Sequence, residues 1–128
     1  MNTDERFFGK WANGRGITFP ERFLKNLGFH KDGKKVKNQN DKKATVLMWL
    51  DYENNVEMAN PYFPIQRPNG IIIPRNNVTV RSESYGIVIP FSILRTYSLL
   101  GMTVIGFTIV NVNSGHLELR PIRNDLKQ

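Results

Sequence analysis

The sequence predicts a mainly β protein with two short helices, in which two ββαββ repeats form one pseudo-two-fold β-barrel. Two observations favour this fold class. Short alternations of apolar and polar residues, the pattern of half-buried strands, recur along much of the chain. In addition, one short sequence pattern occurs twice, 70 residues apart, as Gly16-Ile-Thr-Phe-Pro20 and as Gly86-Ile-Val-Ile-Pro90. Each proline ends a strand and suits the first turn of a helix, where its missing N–H is not needed.

The first half contains one strand–turn–strand–helix–strand–strand unit. Asn13-Gly14 predicts a tight turn because both residues tolerate positive φ, and Gly28 ends the helix in the left-handed conformation. The lysine-rich stretch 30–43 predicts an exposed loop because it is almost devoid of apolar residues. In chain order the predicted elements are a strand over 1–12, a strand over 16–19, a helix over 20–28, a strand over 44–50 and a strand over 56–58.

The second half repeats this order after a connection. Prolines remove backbone donors from residues 61–75, which predicts a connection there rather than a central strand, with 71–73 as a short edge segment. Ser84-Tyr-Gly86 and Asn113-Ser-Gly115 predict turns, and Gly106 predicts a bulge. The remaining predicted elements are strands over 78–80 and 87–89, a helix over 90–101, and strands over 103–110 and 117–119.

The two units are expected to fold together. A ββαββ unit of about 45 residues cannot cover both faces of its own strands, whereas two units can interleave their hairpins and close a barrel with a helix at each end. We therefore expect one domain, composed of a first repeat over 1–60, the connection over 61–75, and a second repeat with a short polar tail over 76–128. The chain is expected to be a monomeric pseudo-dimer or a homodimer. The alternative is that two ordinary stretches share an element order by coincidence.

The repeated segment resembles a known family. Trp11-Ala-Asn-Gly-Arg-Gly-Ile-Thr-Phe-Pro20 is similar to the Trp-Gly-Asn-Ser-x-Gly-Ile-Arg-Ile-Pro signature of the MazE branch of the SpoVT/AbrB superfamily. The later positions of the family pattern are matched by Phe23-Leu24, Leu27-Gly28, Gly33 and Val36. The second copy keeps Gly86-Ile-x-Ile-Pro90, with Arg81 where the tryptophan would stand. The resemblance covers residues 6–60 and 76–122.

This resemblance implies a swapped-hairpin AbrB/MazE-like β-barrel that binds double-stranded DNA. Members usually dimerise through one such unit per chain, and many are transcription regulators, so a chain with two units resembles a fused dimer. Lys10 matches the basic residue that precedes the tryptophan in the family. The DNA-contacting arginine of Arg-Ile-Pro is replaced by Thr18 and, in the second copy, by Val88. Residues 123–128 are too short to match the acidic toxin-binding tail of a MazE antitoxin.

Charge favours an anionic partner. The net charge of +7 and the pI near 9.9 are typical of chains that bind polyanions, and a basic surface kept for solubility is the alternative. Cations along a curved face displace phosphate counterions, and Asn13 and Arg15 are the candidates for reading base edges. Arg15 and Arg81 are also candidates to replace the missing family arginine. The full set of candidate DNA-binding residues is Arg6, Lys10, Asn13, Arg15, Arg22, Lys25, Arg75, Arg81 and Arg95.

Catalytic and metal-dependent functions are disfavoured. His30 and His116 have no carboxylate or cysteine at ligand spacing, and the chain has no Gly-x-Ser-x-Gly or phosphate-loop motif. We therefore predict neither an enzyme nor a metal or other cofactor. Core packing is favoured over a base-stacking role for the aromatic residues Phe7, Phe8, Trp11, Phe19 and Trp49.

The remaining composition favours a cytoplasmic protein. There are no cysteines, so a disulfide framework is excluded, and no apolar run is long enough to span a membrane. The first residues are polar with no apolar stretch behind them, so we expect no signal peptide. We predict a sequence-specific double-stranded DNA-binding protein, a transcription regulator. The alternative is a protein-binding inhibitor or antitoxin-like module that has lost its DNA-binding face, since Thr18 and Val88 stand where the family has arginine.

Overall fold

The computed structural model describes residues 3–11, 14–28, 44–60, 71–81 and 84–124, with the backbone alone for residues 10, 11, 14, 44, 45, 71–81, 84 and 85. Asn13, the predicted loop 30–43 and residues 61–70 lie outside this description. The elements are β1 (Thr3–Phe7), β2 (Gly9–Trp11), β3 (Gly14–Thr18), α1 (Glu21–Asn26), β4 (Ala44–Leu50), β5 (Val56–Ala59), β6 (Ile71–Arg81), β7 (Ser84–Val88), α2 (Phe91–Leu99), β8 (Val104–Asn113) and β9 (His116–Arg123). None of the helices in the described ranges is long and apolar enough to cross a membrane.

The strands form one antiparallel sheet in the order β1-β8-β9-β5-β4-β6-β7-β3-β2. The prediction of a mainly β protein with two helices is therefore confirmed. The sheet of the described residues is not a closed barrel, because β1 and β2 are its edge strands and are not paired with each other. These two edges are nevertheless consecutive in the chain, separated by Phe8 alone, whose N–H donates to the Ile105 carbonyl at 3.0 Å.

Equivalent residues of the two halves face each other at two places in the sheet. In the β3–β7 ladder Ile17 pairs with Ile87, the residues that the sequence repeat aligns. In the β5–β9 ladder Glu57 pairs with Glu118. The first strand of each half also pairs with the other half, β1 with β8 and β6 with β4. The ladders thus relate the halves by an approximate two-fold operation.

Both helices begin and end as their sequences predict. Pro20 and Pro90 stand at the N-caps with φ of -58° and -59°, and Gly28 and Gly101 follow the helices with φ of 90° and 75°. The second helix is longer, with nine residues against six, as the repeat alignment requires. Each helix packs an apolar face into the core, represented by Phe23, Leu24, Ile93 and Tyr97.

Two prolines lie inside strands rather than beyond them. Residues 71–75, predicted as connection and edge segment, belong to β6, an interior strand between β4 and β7. The β4–β6 register shifts around Pro74, and at such a bulge the missing N–H breaks no regular ladder bond. Pro121, predicted to end the last strand, continues β9 opposite Phe107. At Pro121, β9 has already passed the end of its pairing with β5 at Val56–Leu119, so no described strand pairs with that edge of β9.

The first strand and one turn are also corrected. The predicted strand over 1–12 is divided into β1 and β2 at Phe8, because its two parts pair with different strands. Ser84-Tyr-Gly86, predicted as a turn, begins β7. Phe19 and Trp49 are buried as expected, whereas Phe7 is 56% exposed because it lies on the outward side of edge strand β1. The register shift at Gly106 confirms the predicted bulge.

Candidate functional site

The candidate cations of the first half cluster around one carboxylate. Arg6 Nε lies 3.3 Å from Asp4 Oδ1, and Arg22 Nη2 lies 3.4 Å from Asp4 Oδ2. Arg22 Nη2 is also 3.3 Å from the Thr3 carbonyl, to which it donates. Asp4 therefore offsets part of the charge that these two arginines present to solvent.

Arg6 also contacts the position at which the family carries arginine. Its Nη1 donates to Thr18 Oγ1 at 3.0 Å, across 12 residues of sequence. A guanidinium from β1 therefore lies beside Thr18 on β3. In the β3–β7 ladder Thr18 pairs with Gly86, and Gly16 pairs with Val88. Because side chains alternate along a strand, the side opposite Ile17 carries only these short side chains.

The two helices carry a cation at equivalent positions but pair it differently. On α1, Lys25 Nζ lies 3.9 Å from Glu21 Oε2, one helical turn away. At the equivalent place on α2, Arg95 follows Phe91 with the same spacing. The carboxylate that pairs with the cation of α1 is thus replaced by an aromatic ring on α2.

Arg95 and Arg15 line one groove. It has a volume of about 530 Å³ and lies between β3, α2 and the start of β8. Among the described residues, neither guanidinium has a carboxylate within ion-pair distance, in contrast to Arg6, Arg22 and Lys25. Arg15 Cζ lies 5.8 Å from the centre of the Phe8 ring, a cation–π contact. The other groove-lining residues are Phe91, Leu94, Tyr97, Ser98, Met102, Thr103 and Val104.

The remaining candidates are placed by the backbone alone or not at all. Lys10 pairs in register with Arg15 in the β2–β3 ladder, and Arg81 pairs with Ser84 in the β6–β7 ladder. Arg75 lies in β6 beside the register shift. Asn13 lies outside the described residues. The fold therefore brings Lys10 near Arg15, and it groups Arg6 with Arg22, but the candidates do not form one cluster.

A buried acidic cluster, which the sequence did not predict as a site, lies on the β5–β9 pairing. Glu57 is 6% exposed and faces Glu118 in register, and His116 Nε2 lies 2.6 Å from Glu57 Oε1. Burial, with hydrogen bonds to Asp51 and Glu118 and the charges of both, raises the pKa of Glu57 to about 9. Burial also lowers the pKa of His116. At neutral pH the Glu57 hydroxyl therefore acts as a donor among neutral and acidic neighbours.

This cluster was detectable in the repeat, because Val56-Glu-Met58 aligns with Leu117-Glu-Leu119. Carboxylate oxygens of Asp51, Glu57 and Glu118 lie within 4.8 Å of one another. Such oxygens suit hard cations in general. A carboxyl that holds its proton at neutral pH is a poor ligand, since binding requires the ionised form. Glu118 is in addition paired with Arg120, whose Nε lies 2.6 Å from its Oε1.

Comparisons with known proteins do not identify the family. No protein-family model matches the chain, and no characterised protein or solved structure matches it significantly. The resemblance to the SpoVT/AbrB superfamily stays a hypothesis carried by the residues quoted above.

Proposed function

We propose that this chain is a swapped-hairpin, AbrB/MazE-like protein that binds double-stranded DNA and acts as a transcription regulator. The observation that carries the proposal is the two-fold pairing of β3 with β7 through Ile17 and Ile87. The two backbones of a duplex are also related by two-fold axes, so a protein face with this symmetry can meet both strands alike. The net charge of +7 supplies the attraction that such a face needs.

The geometry near the two-fold pair supports contact with a duplex. In the paired part of β3 and β7, the side away from Ile17 carries the side chains of Thr18 and Val88, which are both half-buried. Arg6 brings a guanidinium to Thr18. Arg15, which by the alternation of side chains lies on the Ile17 side of β3, adds a cation beyond the end of the β3–β7 ladder, where it pairs in register with Lys10 of β2.

The ion pairs predict which cations contribute most to DNA binding. A cation that already has a carboxylate partner neutralises less phosphate charge than an unpaired one. Arg15, without a carboxylate among the described residues, is expected to matter more than Arg22, which shares Asp4 with Arg6. We expect Arg15→Ala to lower the salt slope of binding by about one and to weaken binding several-fold at low salt.

The test is fluorescence anisotropy with genomic duplex fragments over a salt series. If about four phosphates are neutralised, the association constant falls about a hundredfold between 50 and 200 mM salt. Arg120→Ala is the matched control, because it removes an equal charge from an arginine that is paired with Glu118. It should leave the salt slope unchanged. Absence of duplex binding even at low salt would overturn the proposal.

A further inference from the structure

The two helices differ most on the face that lines the groove. Lys25 on α1 is held by Glu21 at 3.9 Å, whereas the equivalent Arg95 on α2 is accompanied by Phe91. The Phe91 side chain is 73% exposed. In the part of the chain that the structure describes, the second half has instead a guanidinium without a carboxylate partner, one helical turn after an exposed aromatic residue.

The extension of α2 enlarges this apolar surface. Leu99 is 76% exposed and lies four residues after Arg95, which itself lies four residues after Phe91. Residues at this spacing share one face of a helix. The face is therefore a cation between two exposed apolar side chains.

The groove beside this face combines the same two properties. Leu94 and Met102, both half-buried, give it apolar walls. Arg15 from β3 and Arg95 from α2 contribute two positive charges from different halves of the chain. A ligand that satisfies both must carry negative charge close to an apolar group.

We propose that this groove, together with the adjoining face of α2 formed by Phe91, Arg95 and Leu99, binds a segment of a partner protein. That segment carries both acidic and apolar side chains. Charge complementarity to Arg15 and Arg95 requires the acidic residues. The continuation of the apolar surface beyond the groove to Leu99 favours a polypeptide over a small amphipathic anion, which would leave that side chain exposed. Duplex DNA is disfavoured on the exposed apolar side chains Phe91 and Leu99, because DNA interfaces are mainly polar and charged.

The proposal does not depend on DNA binding. Phe91 and Leu99 lie on α2, and neither is among the candidate DNA-binding residues. Arg15 and Arg95 are both among the candidate DNA-binding residues, so a variant of Phe91, which is not among them, separates the two proposals. Failure of peptide binding would therefore leave the DNA proposal intact, and the reverse also holds.

The experiment is selection of a random-peptide display library on the whole chain, followed by anisotropy measurements with the enriched peptides. We expect enrichment of sequences that place aspartate or glutamate next to leucine or phenylalanine. Phe91→Ala and Arg95→Ala should each weaken binding of these peptides about tenfold or more. Lys25→Ala, the equivalent position on α1, should leave it nearly unchanged. Because all three side chains are exposed or half-exposed, the variants should keep the wild-type melting temperature.

Several outcomes would overturn the proposal. Enrichment of peptides without acidic residues would contradict the proposed role of charge. The same would follow if the peptides bound the wild type and Arg95→Ala with equal affinity. Displacement of the peptides by dodecanoate with higher affinity would assign the groove to a small amphipathic anion. Self-association of the chain that Phe91→Ala abolishes would assign the face to a second copy. Equal loss of duplex binding in Phe91→Ala would assign it to DNA.

Discussion

Replacing Glu57 by glutamine should change how the stability of the protein depends on pH. The pKa of this carboxyl rises from its ordinary value of 4.5 to about 9, first through burial and then through Asp51 and Glu118. The folded state therefore keeps a proton that the unfolded chain releases above pH 4.5. The contribution of Glu57 to the free energy of unfolding is therefore present in full below pH 4.5 and is lost as the pH rises towards 9.

The neighbours of Glu57 define the pH range in which its effect can be isolated. His116 faces it from β9, and the pKa of that imidazole is lowered, so its protonation destabilises the fold only at acidic pH. Arg120 stays charged throughout, and the pKa of Tyr97 is raised further above the range. Between pH 7 and 9 the pH dependence from these groups therefore comes from Glu57.

The expected size follows from linkage. One proton held in the folded state alone changes the free energy of unfolding by about 1.4 kcal/mol per pH unit. From pH 7 to 8.5 the wild type should lose about 2 kcal/mol, a large part of a typical stability of about 5–15 kcal/mol. Glu57→Gln removes the titration while keeping the size of the side chain. Its stability should be nearly constant over the same range and should exceed that of the wild type at pH 8.5.

Urea denaturation at constant ionic strength across this pH series measures the effect. Glu118→Gln should reduce the slope, because Glu118 is one of the groups that raise the pKa of Glu57. Glu53→Gln, an exposed carboxyl nearby, is the control and should retain the slope of the wild type. If Glu57→Gln lost stability with pH as steeply as the wild type, another group would hold the proton and the assignment would be wrong.

Two further predictions concern contacts between the halves of the chain. A Cβ at Gly106 would lie 2.3 Å from the Arg6 carbonyl oxygen, so Gly106→Ala should destabilise the fold by about 1–3 kcal/mol in chemical denaturation. Gly101→Ala, with φ of 75° but open space around it, should cost about 1 kcal/mol, and a larger loss there would contradict the packing argument. Asn26 Nδ2 donates to the Asn113 carbonyl at 3.0 Å, so Asn26→Ala should cost about 1–2 kcal/mol. The equivalent Thr96, bonded only within its own helix among the described residues, should tolerate alanine, and equal losses at both positions would refute the contribution of the contact between halves.

The sequence predicts the two-fold element order because that order depends on local signals. Pro20 and Pro90 fix the helix starts, and Gly28 and Gly101 fix the ends, since each acts through its own backbone conformation. The prediction of a connection that includes Pro74 was wrong for a different reason. A proline is tolerated in an interior strand where the partner register shifts, and that shift depends on β4, which is far away in sequence.

The candidate cations illustrate a second limit. Their residue types are visible in sequence, but their partners are not. Asp4 lies 18 residues before Arg22, and nothing local indicates that the two meet. Glu21 and Lys25, by contrast, show the four-residue spacing of a helical ion pair. The sequence alone therefore shows that the equivalent positions on α2, Phe91 and Arg95, cannot form such a pair.

The two-fold relation explains where the halves can differ. A residue that faces its own counterpart, such as Ile17 opposite Ile87, must suit both copies of the same environment. Glu57 opposite Glu118 is the costly case, because like charges directly across a ladder repel. The pair is compatible with a buried position when one member keeps its proton, which the raised pKa of Glu57 provides. Positions away from these pairs carry no such constraint, and at two of them α2 has Phe91 and Arg95 where α1 has the ion pair of Glu21 with Lys25.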